Sequence, residues 1–564
     1  MKKSNLIILF FILLIGFLGC NEDFTESPAI GSLSDQALQN ETGVDLLLVG
    51  AYSALDGVRN NSLGEAWGTG GDNWWIDVIS DDAHKGATDG DQPALYNIET
   101  MNWTTGNSYF YGKWGALFAG INRANAVISL INGIEEGDFT QQMAEARFLR
   151  GHYNFELQRA WGNVPYVSEE DYAATEFNQP NTGPIWDEIE ADFQFAVDNL
   201  PQAQNEIGRA NSWAATAYLG KVHLYQSDWD SALPLLRTVV EEGPYGLLDD
   251  FVDNFRLAGD NSSESVFSIQ FTTDATQSFN ANVRGALNFP SPGPFGSCCG
   301  FYQPTQDLLN AFQTDGSGLP LLDTFNQTDV TSDFGIALDE PFEPFAGPLD
   351  PRADYTVGRR GIDYNGYGLK PGGNDWLSSE FSHLSGPYLP KKNVYWAGEE
   401  ENQSTGAWGQ QLSGVNYHVI RFADVILMYA EAAVETGDID TALEMVNRVR
   451  NRAKNSNYVQ APDGGDAANY VIEPYDSFPN QEFARKAVRF ERRLELGMEG
   501  HRWFDLKRWG VLVDVMNTYF VNEARTIENF GTKVGTYLPH YENFPIPINA
   551  IDLSNGVLTQ NPGY

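Results

Sequence analysis

Cysteine is nearly absent from this chain. Only Cys20, Cys298 and Cys299 occur in 564 residues, which excludes a disulfide scaffold, and no CxxC pair suggests zinc. Histidine is also sparse. The seven residues at 84, 152, 223, 383, 418, 501 and 540 never come close enough to form an HExxH helix, and neither a GxSxG elbow nor a phosphate loop is found. These absences argue against the common zinc proteases, serine hydrolases and nucleotide-dependent enzymes. Basic charge is scarce as well: 35 Lys and Arg stand against 76 Asp and Glu, a net charge of −41. Nucleic acid is therefore excluded as a partner, and peripheral binding to anionic lipid is disfavoured. A glycosidase is not excluded in this way. It needs only two carboxylates about 5–10 Å apart, and spacing in so acidic a chain cannot rule that out.

One apolar run stands out, from Leu6 to Leu18 after a Met1-Lys2-Lys3 start. It is too short to span a bilayer and reads as an export signal over residues 1–19. Gly19-Cys20 follows, and a cysteine just after such a run resembles a lipoprotein processing site, although Phe17 and Leu18 depart from its usual residues. That resemblance implies cleavage before Cys20 and lipidation of its sulfur. Each buried CH₂ of the acyl chains then contributes roughly 0.8 kcal/mol to an anchor in the outer-membrane lipid. Residues 20–40 read as the lipidated tether, with Asn21-Glu22-Asp23 placing acids beside the anchor.

Apolar residues at spacings of 3 and 4 predict helices from about Ser108 to Val240. Ala146, Leu149, Tyr153, Leu157 and Ala160 form one such stripe, ended by Gly162 and Pro165. Sliding the chain by 210 residues lays Asp228-Trp229-Asp230-Ser231-Ala232-Leu233 on Asp438-Ile439-Asp440-Thr441-Ala442-Leu443. Each copy follows a helix rich in small residues, an arrangement that lets two helices approach closely and resembles tetratricopeptide helix pairs. Residues 41–260 and 418–564 accordingly read as two helical regions of one integrated unit. Residues 261–417 lack a helical period and are rich in Gly, Pro and aromatics, the character of a functional elaboration. The fold class expected is mostly α, a scaffold of helix pairs carrying a long irregular ligand-binding portion.

Several segments together resemble the SusD/RagB outer-membrane lipoproteins of Bacteroidetes. They are Ala144–Arg150 running on to Trp161-Gly162-Asn163-Val164-Pro165, Arg421–Ala432, Glu491–Leu496 with Glu499-Gly500-His501-Arg502 and Asp505–Trp509, and the C-terminal Pro545-Ile546-Pro547 and Gln560–Tyr564. They stand in family order along the whole mature chain. The resemblance implies a glycan-binding lipoprotein facing the cell exterior, sitting as a lid on a SusC-like TonB-dependent transporter and handing it oligosaccharide or polysaccharide, without catalysis. Some family members bind peptides, so peptide import is the alternative. An all-helical glycoside hydrolase is a more distant one. Within the shared motifs, Arg147, Arg421, Glu431, Arg492, Glu495, Arg502 and Asp505 have the helical spacing of ion pairs that register packed helices.

Sugar binding requires flat aromatics for the C–H face and acids, amides or cations for the hydroxyls. Three irregular segments combine both. The first carries Trp74, Asp82, His84 and Lys85, and by position it resembles a segment contributing to the family's glycan site. The second is Cys298-Cys299-Gly300-Phe301-Tyr302, where adjacent cysteines could close a vicinal disulfide offering a flat sulfur surface, or remain two small buried thiols, and where Tyr302 could stack. The third holds Trp376, Trp396 and Trp408. There Tyr395 and Trp396 must point opposite ways in extended chain, and Trp396 is the one expected to face a ligand. Aspartates 81, 82, 89 and 91 raise calcium as an alternative to a solvated acidic loop, but the twelve-residue calcium pattern is missing. No other metal or cofactor is expected.

Overall fold

The computed structural model describes residues 38–57, 67–273, 281–296, 298–372, 375–377, 385–392, 394–406, 409–527 and 529–564. The export signal, Cys20, most of the tether and Trp408 lie outside these residues. Helix starts follow local chemistry. Helix α1 (Glu41–Ser53) is capped by Asn40, whose side chain accepts the Gly43 N–H. The next are α2 (Ser108–Asn132), capped by Asn107, and α3 (Thr140–Trp161), which ends at Gly162 with φ +78°. Then come α4 (Trp186–Asn199), α5 (Ser212–Tyr225) and α6 (Trp229–Glu242). Towards the C-terminus follow α7 (Phe422–Thr436), α8 (Ile439–Asn455), α9 (Gln481–Leu496), α10 (Arg502–Arg508) and α11 (Leu512–Glu523).

These helices stack in chain order, α1 on α2, α2 on α3 and so on to α6, which then packs on α7 although residues 243–421 intervene; α7 and α8 in turn cover α9. The fold is thus the expected scaffold of helix pairs. The two copies offset by 210 residues are alike in detail. Asp228 accepts the Ser231 N–H and Asp438 accepts the Thr441 N–H, from nearly equal backbone angles (φ −85°, ψ 76° and φ −86°, ψ 75°). Ala232 and Ala442 are both fully buried, as a close helix crossing requires.

Strands are short and pair only antiparallel among the described residues. They are β1 (Ala83–Gly86), β2 (Ser265–Ile269), β3 (Phe301–Pro304), β4 (Val357–Gly358), β5 (Leu389–Pro390), β6 (Gln403–Thr405), β7 (Gln411–Ser413) and β8 (Tyr417–Arg421). The β2–β8 ribbon has a topological consequence. Its register runs from Ser265 opposite Arg421 to Ile269 opposite Tyr417, so the irregular stretch leaves the scaffold and returns to it at one place. It is nevertheless tied back to the scaffold by the β1–β3 pair and by buried ion pairs of Asp307 with Arg493, Arg352 with Glu491 and Glu495, and Lys392 with Glu499.

Charged residues of the shared motifs register the helices. Arg421 at the end of β8 reaches Glu264 (2.9 Å), Glu495 (2.6 Å) and Glu499 (2.8 Å). Arg492 bridges Asp424 on α7 (2.8 Å) and Asp505 on α10 (3.0 Å), and Arg508 holds Glu431 at 2.7 Å. Arg147 pairs with Asp192 (2.8 Å) and Arg502 with Asp81 (2.7 Å). Losing one member of such a buried pair strands its partner's charge, at a cost of about 3–5 kcal/mol. The C-terminal segment crosses back over the first helices: the Asn561 amide donates to the carbonyls of Trp161 and Phe544, and the Tyr564 hydroxyl accepts from Trp103 Nε1 at 3.1 Å.

Candidate functional site

Five of the residues expected to meet a ligand lie inside the molecule instead. Trp74 is 1% exposed, packs edge-on against Phe301 and Tyr302, and donates Nε1 to the Trp67 carbonyl. The Tyr302 hydroxyl donates to Asp77 at 2.6 Å. Asp82 pairs with Arg493 at 2.9 Å, and His84 lies between Glu99 and Glu523. Lys85 donates to the carbonyls of Gly86 and Thr88 and sits over the Phe301 ring. The physical reason is shared. β1 pairs with β3, so this Trp-rich segment is sealed by chain more than 200 residues away, a partner that local spacing does not reveal. The same burial corrects the aspartate readings: Asp81 and Asp82 are neither in a solvated loop nor placed around a cation, but turned onto Arg493 and Arg502, while Asp89 faces Lys533 at 3.3 Å. No cluster of three or more His, Cys, Asp or Glu suited to a metal occurs among the described residues.

The carboxylates collected there are strongly perturbed. Burial, reinforced by the charge of Asp82, pushes the Asp77 carboxyl up to about 7. Burial likewise raises Asp307 to about 7 against the pull of Arg493. Asp81 falls to about 2, because Arg493 and Arg502 together outweigh its burial. These groups are committed to ion pairs and hydrogen bonds with Arg493, Arg502 and Tyr302.

Surface aromatics converge elsewhere, on a lobe built within the irregular stretch. Its centre is a two-residue turn at Asn365-Gly366, where both residues have positive φ (50° and 80°) and Tyr367 N–H donates back to the Tyr364 carbonyl. Asn-Gly is the pair such a turn favours. Tyr364 points inward, its hydroxyl on the Pro390 carbonyl. Trp376 stands edge-on over it with centroids 5.6 Å apart, and Tyr367 lies against Phe295 at 4.7 Å; both rings are half-buried. Gly293 passes beneath Trp376 so closely that an added Cβ would lie 3.3 Å from the indole. The neighbouring Ser291 bridges to Leu377 and borders Gly300, which brings the Cys298-Cys299 turn into the same lobe. The two sulfurs are bonded to each other, with Cys298 half-exposed and Cys299 buried.

Tyr395 and Trp396 leave this lobe in opposite directions. Tyr395 is buried against Phe289 and Phe295, with its hydroxyl on Gln411 at 2.6 Å. Trp396 turns outward, half-buried, beside Tyr355, and carries the Arg256 guanidinium 4.9 Å from its ring centre. Arg256 also pairs with Glu399 at 2.9 Å, and the second Glu399 oxygen is buried without a hydrogen-bond partner. Nearby, burial lifts Asp260 to about 7; the Asn416 N–H opposes this and the Glu399 charge adds to it. The Ala397 N–H donates to the Asn365 carbonyl at 3.0 Å, which fastens the Trp396 segment to the Asn-Gly turn.

Trp376, Trp396 and the cysteine pair are thus brought onto adjoining parts of one lobe. Tyr367 and Arg256 join them without having been singled out. The signal for Tyr367 was its place between two glycines next to an Asn-Gly turn. Arg256 precedes the irregular stretch and had no local signal. Trp396 with Arg256 and Glu399 beside it joins a flat ring, a guanidinium and a carboxylate, groups that can stack on a sugar ring and bind its hydroxyls.

Comparison with known proteins follows the same line. Residues 263–564 match the model of the SusD family, and residues 44–224 match one described as starch-binding associating with the outer membrane. A SusD-like protein P25 of Formosa agariphila is 26% identical over 589 residues, covering 100% of both chains. Among solved structures, a SusD-like protein from Bacteroides fragilis has a TM-score of 0.71 at 20% identity, covering 96% of this chain and 100% of that one. Surface glycan-binding protein A from Bacteroides thetaiotaomicron, in complex with laminarihexaose, has a TM-score of 0.65 at 18% identity, covering 92% and 99%. At these identities the structural likeness establishes the fold.

Proposed function

Because the chain belongs to the SusD family, we propose that it is a surface lipoprotein that captures a glycan through the aromatic lobe and passes it to a SusC-like TonB-dependent transporter. The observation that carries the reading is the lobe itself. Trp376, Tyr367 and Trp396 keep part of their rings exposed, unlike the fully buried Trp74, Trp75, Trp161 and Trp503. Exposed rings beside Arg256, Glu399 and a cystine surface suit a sugar's two chemistries. A relative of like fold solved with laminarihexaose supports a sugar as the ligand, and a family description that mentions the outer membrane supports the location. Export through the N-terminal signal and anchoring by Cys20 complete the proposal, and capture proceeds without catalysis.

The test is titration calorimetry of the chain from Asn21 onward against a panel of oligosaccharides that includes laminarihexaose, with each sample then assayed for new reducing ends. Saturable binding of one glycan class without cleavage is expected. Trp376→Ala, Trp396→Ala and Trp408→Ala should each weaken it by about 1–2 kcal/mol while leaving the melting temperature unchanged. Affinity unmoved by Trp376→Ala and Trp396→Ala would place the site off the lobe. Silence across the panel with binding to a peptide mixture would favour peptide import, and new reducing ends would make the protein an enzyme.

A further inference from the structure

A second open groove, of about 670 Å³, lies on the scaffold between α9, α10, α11 and the turn at residues 322–327. Apolar and charged groups alternate along it. Phe325 and Phe490 meet edge to face with centroids 5.5 Å apart, and the half-buried Trp509 extends the apolar wall. The charged side chains are mostly committed. Arg493 and Arg502 hold Asp81, Arg493 also holds Asp307, and Lys486 reaches Asp323 at 3.0 Å.

Arg489 is the exception. It lies half-buried on α9 with its guanidinium 4.8 Å from the Trp509 ring centre, and it makes no hydrogen bond or ion pair among the described residues. Its Nε is buried without an acceptor. The nearby acids are already taken: Glu431 accepts from both Arg508 nitrogens and from Trp509 Nε1, and Glu435 is held by two hydrogen bonds from Arg485. A guanidinium has five donors in a rigid fork matched to carboxylate and sulfate. A buried Nε without an acceptor is unfavourable, and an anion entering the groove would relieve it. Across the groove the exposed Asp514 is available as an acceptor for hydroxyl groups. The net charge of −41 opposes anions in general, but screening confines that repulsion to about 8–10 Å at physiological salt, and the contacts here are short-range.

We propose that this groove is a second binding site, for an anionic sugar bearing a carboxylate or sulfate group, with Arg489 as the anion clamp and Trp509, Phe490 and Phe325 as the stacking wall. The site is separate from the aromatic lobe, and the two can fail independently. Calorimetry on the chain from Asn21 onward would use a galacturonate trimer, a sulfated galactose oligomer and a neutral glucose trimer. Binding of the uronate or of the sulfated sugar is expected, weakening with salt, and the arm that responds names the anion. Arg489→Gln should lower that affinity roughly ten- to hundred-fold and Arg489→Lys by less, both with an unchanged melting temperature. Trp396→Ala should leave it intact. Failure of both anionic sugars to bind, an Arg489→Gln protein that binds them as wild type does, or equal competition by the neutral trimer would each overturn the proposal.

Discussion

Three stretches of chain meet at the imidazole of His84, whose Nδ1 faces Glu99 at 3.2 Å and whose Nε2 faces Glu523 at 2.8 Å. Burial alone would lower its pKa, but hydrogen bonds and charge from Glu523 and Glu99 outweigh that and raise it to about 9. A folded pKa above the unfolded value of about 6.5 gives stability that is complete below pH 6.5 and is lost as pH rises through 9. The shift corresponds to about 3 kcal/mol. Denaturant titrations of wild type and His84→Gln should therefore differ most at pH 6.5 and converge towards pH 9. A gap constant with pH would mean the imidazole is neutral in the folded state. Sequence reasoning placed His84 at a ligand because a polar residue in a Trp-rich irregular segment suggests one. The acids that claim it stand 15 and 439 residues away, which no local pattern reveals.

Helix pairing is the scale at which the internal repeat acts. The 210-residue offset lays Gly220 on Ala430 and Leu236 on Val446, all fully buried. In the first copy a Cβ on Gly220 would come within 2.8 Å of the Leu236 side chain. The second copy thus gains a methyl on one helix and has the smaller side chain on the other, a volume exchange between facing positions. Gly220→Ala should gain about 1 kcal/mol in helix propensity yet lose it to the collision, whereas in a Leu236→Val background the gain should survive. A double-mutant cycle in denaturant should then show coupling of at least about 0.5 kcal/mol; additive effects would mean the two helices have room to spare. This element-level pattern was legible because caps, small residues and the 3.6 period are local properties. The lobe was only partly legible: Trp376 and Trp396 could be named, but Tyr367 and Arg256 become neighbours through the Asn365–Ala397 contact and the stacking of Arg256 on Trp396.

At the scale of the molecule, the β2–β8 ribbon marks where the irregular excursion leaves and rejoins a helix stack locked by buried ion pairs, and that excursion carries the proposed ligand surface. Among the described residues no helix is long and apolar enough to cross a membrane; the anchor proposed is the lipid on Cys20. Cys20→Ala should move the protein from the membrane fraction to the soluble one in cells lacking the proposed partner transporter, and continued membrane association there would contradict the anchor. The sequence by itself determined the helical scaffold, the repeat and the family, because periodicity, caps and ordered motifs are written along the chain. Only the tertiary structure decided which tryptophans keep an open face, that Asp81, Asp82 and His84 serve the core, and that Arg489 has no hydrogen-bond partner among the described residues. Exposure and pairing depend on residues hundreds of positions away, and burial energetics act on the surface the folded chain leaves rather than on the order of its residues.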